Sequence, residues 1–116
     1  MDRRVQAVIN YMVEDLSRPL QLEELACLVN LSASRLQHLF KADTTMTPAQ
    51  YFKFQRMRRA KELIETTFLS TKEIRMRLGI NDESHFVRDF KKIFGLPPAR
   101  YKRCLPVVAL NSKFGQ

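Results

Sequence analysis

Residues 36–51, LQHLFKADTTMTPAQY, and residues 86–101, FVRDFKKIFGLPPARY, carry nearly the same phrase fifty positions apart. Phe40, Lys41, Pro48, Ala49 and Tyr51 recur as Phe90, Lys91, Pro98, Ala99 and Tyr101, and Leu36 is answered by Phe86. Upstream the correspondence continues with an offset of forty-nine, Glu24, Leu25 and Leu31 matching Glu73, Ile74 and Ile80. The second copy therefore holds one extra residue near Asn81 or Asp82, and exposed turns are where chains tolerate insertion. Two copies in 116 residues predict a pair of modules rather than a solenoid.

Around the first copy, Ser32 is suited to cap a helix running to about Ala42 with Leu36, Leu39 and Phe40 on its inner face. Gln21 to Val29 reads as a shorter helix presenting Leu22, Leu25, Ala26 and Val29. Asn30 follows it at a position that wants a left-handed residue. A short apolar helix, a tight turn and a second helix polar on its free face is the pattern of a helix-turn-helix. Before this module, Val5, Val8, Ile9, Met12, Val13 and Leu16 predict an amphipathic helix, capped by Asp2 and ended before Pro19.

Thr47 and Pro48 open a long helix through Tyr51, Phe52, Met57, Ala60, Leu63 and Ile64 to about Glu65. Roughly 18 residues at 1.5 Å each span about 27 Å, close to the 34 Å of one DNA turn once flanking modules are added. Ser70 and Glu73 form a capping-box signature for a helix from Thr71 to Leu78, stopped at Gly79. Asp82 then caps Glu83 to Phe94, with Phe86, Phe90, Ile93 and Phe94 inward; Gly95 stops it and Pro97 or Pro98 opens a last short helix. The expected fold is all-α, with about seven helices forming two homeodomain-like helix-turn-helix modules joined by a long central helix. Its divisions are 1–46 (N-terminal helix and first module), 47–66 (linker helix), 67–103 (second module) and 104–116 (tail).

The net charge of +8 is unevenly spread: residues 1–32 carry three basic and five acidic side chains, residues 33–103 sixteen and seven. A basic excess confined to the repeated part suits a polyanion, because Lys and Arg beside phosphates release condensed counterions. No apolar run approaches the roughly 20 residues that cross a bilayer, and the first residues do not form a signal peptide. Cys27 and Cys104 have no metal-ligand spacing and build no disulfide framework, so a soluble protein of the reducing cytoplasm is expected. His38 and His85 stand far apart without a nearby acid pair or glycine-rich phosphate loop, so neither catalysis, metal nor cofactor is expected.

With these residues in view, the chain resembles the DNA-binding domain of the AraC/XylS family of bacterial transcriptional regulators. The most specific element is Phe90, Lys91, Phe94, Gly95, Pro98, Tyr101 and Lys102, similar to that family's closing signature. The resemblance implies two reading helices in adjacent major grooves of double-stranded DNA and, in many members, contact with RNA polymerase. It places base contacts on Ser34, Gln37 and His38 in the first module and on Glu83, Ser84, His85 and Arg88 in the second. Arg35, Lys41 and Lys91 fall where phosphates are met.

Arg suits guanine, Gln suits adenine, and Ser or His serves either kind of base edge. Three departures stand out: Arg75 where the family has a small residue such as Ala, Ile80 where it has an aromatic, and Thr45 where it has Gly. A long cation at position 75 must snorkel out or alter the packing. Many members also carry an N-terminal effector-sensing or dimerising domain, for which this chain has no room. It is expected either to act alone or to be a C-terminal fragment. The competing expectation keeps the fold but gives the basic faces to an acidic protein partner, as a helical interaction or anti-regulator module.

Overall fold

Polar side chains set most of the helix starts. A computed structural model describes residues 1–105, and among these it forms α1 (Arg3–Glu14), α2 (Leu22–Leu28), α3 (Ala33–Thr44), α4 (Pro48–Thr66), α5 (Thr71–Arg77), α6 (Glu83–Phe94) and α7 (Pro98–Cys104). The first free amides of a helix need acceptors. Asp2 accepts from Arg4 N at 2.7 Å, Ser32 from Arg35 N at 3.2 Å and Asp82 from His85 N at 3.0 Å. At α5 the bonding is reciprocal: Ser70 Oγ accepts from Glu73 N at 3.0 Å while Ser70 N donates to Glu73 Oε1 at 2.9 Å. Thr47 and Gln50 make the same exchange at the head of α4, at 3.2 and 3.0 Å. That second capping box follows the Thr-x-x-Gln spacing, which the sequence reading passed over in favour of Pro48.

The chain divides into two compact units, Met1–Gln55 and a second beginning at Arg56, with the boundary inside α4. In the first unit α1 and α2 both contact α3. Val5, Val8, Ile9, Met12, Leu25, Ala26, Leu36, Phe40 and Phe52 form its core. Buried apolar residues of the second unit include Met57, Ala60, Ile64, Ile74, Leu78, Phe86 and Phe90. There Phe90 meets Phe94 at 4.8 Å and Tyr101 at 5.9 Å between ring centroids. The repeat is visible in this packing: Phe40 meets Tyr51 edge-on at 5.4 Å, and Pro48 and Pro98 are both fully buried.

Within each module the turn is built alike. Leu31 N donates to Ala26 O at 2.9 Å and Ile80 N to Arg75 O at 3.1 Å, with Asn30 at φ 58° and Gly79 at φ 70°. From the left-handed residue to the N-cap is two steps in the first module, Asn30 to Ser32, and three in the second, Gly79 to Asp82. The extra residue expected near Asn81 sits in this turn.

Several expectations need correction. Val13 and Ile93 are 41% and 36% exposed rather than inward-facing, and Leu16 falls beyond the end of α1. Both exposed residues directly adjoin a buried or half-buried one on their helix, Met12 or Phe94, and one step turns a helix by about 100°. Helix α7 extends to Cys104, one residue into the expected tail; residues 106–116 of that tail lie outside the described residues.

Candidate nucleic-acid interface

On α3, burial of Leu36 and Phe40 fixes which way the helix is rolled. Ser34, Gln37, His38 and Lys41 then fall at i, i+3, i+4 and i+7 on a single exposed face, with Arg35 exposed beside them. On α6, Phe86 and Phe90 do the same work, leaving Glu83, Ser84, His85, Arg88 and Lys91 exposed. All ten residues singled out from the sequence lie at the surface, five on each second helix of a module.

The two faces can be compared position by position across the offset of fifty. Ser34 and Lys41 are matched by Ser84 and Lys91, whereas Gln37 and His38 are replaced by half-buried Val87 and exposed Arg88. The ends of the two ridges are chemically alike and their centres differ. Among the described residues, no ion pair engages Arg35, Lys41, Arg88 or Lys91. Elsewhere cations are committed: Arg59 to Glu62, Lys61 to Glu65 at 2.8 Å and Arg4 to Asp2 at 3.1 Å.

His85 is the oriented member of the set. Its Nδ1 lies 2.7 Å from Asp82 Oδ2, while the other carboxylate oxygen accepts from the His85 amide. These two bonds, the backbone one first, hold the Asp82 carboxyl below the usual range. With Nδ1–H turned to the carboxylate, a neutral His85 offers Nε2 outward as an acceptor, and a protonated one offers a donor. In the first module Ser32 is the N-cap and Arg35 stands in the place of His85, so the Asp–His pair is not repeated there.

Two further cations adjoin these faces, one of which, Arg4, escaped the sequence reading. Arg4, from α1, lines the same open concavity as Arg35 and His38, about 360 Å³ in volume. No local pattern announces it, since the juxtaposition arises only when α1 packs on α3. Arg75 lies half-buried against the turn before α6, where its Nη1 donates to Ile80 O at 2.9 Å and Asn81 O at 3.1 Å. The snorkelling expected of this residue is therefore directed at backbone carbonyls.

Among the described residues no helix is long and apolar enough to cross a membrane, and no cluster of His, Cys, Asp or Glu is built to hold a metal. A family model described as a helix-turn-helix domain matches residues 25–103. The chain is 30% identical over 104 residues to the HTH-type transcriptional regulator GbdR of Pseudomonas aeruginosa, covering 90% of this chain and 28% of that protein. It thus spans under a third of that relative. The structure of a transcriptional regulator from Chromobacterium violaceum, of the AraC-type DNA-binding domain-containing proteins, is similar with a TM-score of 0.79 and 26% identity. That match covers 89% of this chain and 94% of the other. The same fold is seen in the DNA-binding domain of AdpA, a global transcriptional factor crystallised with a target DNA, at a TM-score of 0.81 and 24% identity over 99% of each chain. Repeated module, closing signature and these likenesses agree: the chain belongs to the AraC family of helix-turn-helix DNA-binding domains.

Proposed function

We propose that this chain binds double-stranded DNA sequence-specifically and serves to regulate transcription in the bacterial cytoplasm, with α3 and α6 as reading helices in adjacent major grooves. The observation that carries the reading is the pair of equivalent helix faces, each rolled outward by its buried apolar row and each ending in a lysine without a carboxylate partner among the described residues. In helix-turn-helix recognition the second helix enters the major groove with its early residues at base edges.

Ser34, Gln37 and His38 are assigned to bases in the first module, and Glu83, Ser84, His85 and Arg88 in the second. Val87 adds apolar surface suited to a thymine methyl. Arg35, Lys41 and Lys91 are assigned to phosphates, which position the helices without reading sequence. The chain performs no catalysis under this reading. Contact with RNA polymerase, and any effector or dimerisation domain, would belong to the regulator of which such a domain is part.

The test is selection from a random duplex library at moderate salt, followed by mobility shift on the selected sites. Enrichment of a site with two conserved segments is the expected result. Recovery of no preferred sequence, with retention of an acidic protein instead, would replace this reading by that of a protein-interaction module.

A further inference from the structure

In the first module the residue packed beneath the turn is Ala26, only 2% exposed; its counterpart in the second is Arg75. That substitution coincides with the one extra residue in the second turn. Among the described residues the guanidinium makes no ion pair, and its Nη1 donates to two carbonyl oxygens, those of Ile80 and Asn81. These residues lead directly into Asp82, whose carboxylate caps α6 and grips His85. Arg75 also shares the wall of a cavity of about 90 Å³ with Glu83, Phe86 and Val87, so it borders the same space as the start of that helix. A longer turn leaves more of the main chain to be ordered, and a charge-assisted bond to its carbonyls is a way to order it.

The geometry points to Arg75 as the positioning residue of the second reading helix: it clamps the lengthened turn, and through Asp82 it fixes the angle at which Ser84, His85 and Arg88 are presented. It touches no base itself. The inference rests on the DNA-binding reading for its functional half, while its structural half stands on the free protein.

Arg75→Met keeps a long apolar stem and removes every donor. Site selection with this variant should show discrimination falling about tenfold at base pairs read by α6, with those read by α3 unchanged. In the DNA-free variant, hydrogen exchange at the Ile80 and His85 amides should speed up relative to the matching Leu31 and Arg35 amides. Equal exchange in wild type and variant, or a loss of affinity alike on all sequences, overturns the assignment.

Should Arg75→Met fail to fold, the wild-type protein decides by nuclear magnetic resonance. Hindered rotation of the Arg75 guanidinium supports the clamp, and free rotation overturns it. A wild-type chain that selects no DNA sequence would defeat the functional reading, yet the exchange and rotation measurements would still decide the clamp.

Discussion

Thr45 and Gly95 hold the same place after α3 and α6, and both are left-handed, at φ 67° and 88°. A non-glycine residue in that region carries a cost of about 1–2 kcal/mol, and a β-branched one is especially ill-suited. Glycine relieves the strain but gives back about 0.5–1 kcal/mol in lost chain entropy. Thr45→Gly is therefore expected to stabilise the protein by about 0.5–1 kcal/mol in urea unfolding. The reverse change, Gly95→Thr, should destabilise it by the same net of about 0.5–1 kcal/mol, although a Cβ there meets nothing within 4 Å. If both changes destabilise, the backbone argument fails. Arg88, exposed and without an ion pair among the described residues, differs from its counterpart His38 by a fork that can grip guanine O6 and N7 together. Arg88→Ala should relax preference at one base pair and cost about 1–3 kcal/mol on the best site, measured by anisotropy against single-base variants. Uniform weakening across those variants would move Arg88 to the phosphates.

At the scale of the element, three helices begin at carboxylates held below their usual range. Asp2 is lowered chiefly by the Arg4 side chain, Glu73 by the Ser70 amide and Asp82 by the His85 amide. Groups depressed by folding contribute stability that is complete above their unfolded values near 4 and is lost as pH falls through the lower folded values. The thermal midpoint should thus stay level from neutrality to about pH 5 and drop below about pH 4. Glu73→Gln preserves an acceptor for the Ser70 amide without titrating, so its melting curves should show a shallower acid limb. An unchanged limb would assign the acid sensitivity elsewhere. These same caps explain why the elements were legible: Ser32, Ser70, Asp82 and Gly95 mark their ends by local chemistry, and apolar spacing supplies the inward face. Ile93 and Val13 were misread because hydrophobic character alone does not say how wide the buried stripe is; the rings of Phe90, Phe94 and Tyr101 mark the packed side of α6. The exposed faces of α3 and α6 followed from the same periodicity. The Arg75 clamp did not, because its partners are main-chain carbonyls, which every residue possesses and no sequence pattern distinguishes.

For the whole molecule the informative quantity is how the basic excess is spent. Residues 33–103 hold sixteen basic and seven acidic side chains, but those cations are not equivalent. Lys61 is bonded to Glu65, which also accepts from the Tyr101 hydroxyl, and Arg59 is bonded to Glu62. A phosphate approaching either must compete with a carboxylate already in place. Arg35, Lys41 and Lys91 present no such competition among the described residues, and they lie on the two reading helices. Binding should release counterions in proportion to the phosphates neutralised, giving a linear fall of log affinity with log salt of slope about −0.9 for each contact. Removing one phosphate-contacting cation lowers that slope by about one while leaving sequence preference intact. Alanine at Arg35, Lys41 or Lys91 is accordingly expected to flatten the salt dependence by about one each, and the double variant at Lys41 and Lys91 by about two. Lys61→Ala should leave it unchanged. The measurement is anisotropy titration of one selected duplex across a salt series. Slopes that fall for Lys61 and stay fixed for Lys41 and Lys91 would place the phosphate track on α4 and remove the lysines of the paired helices from the interface.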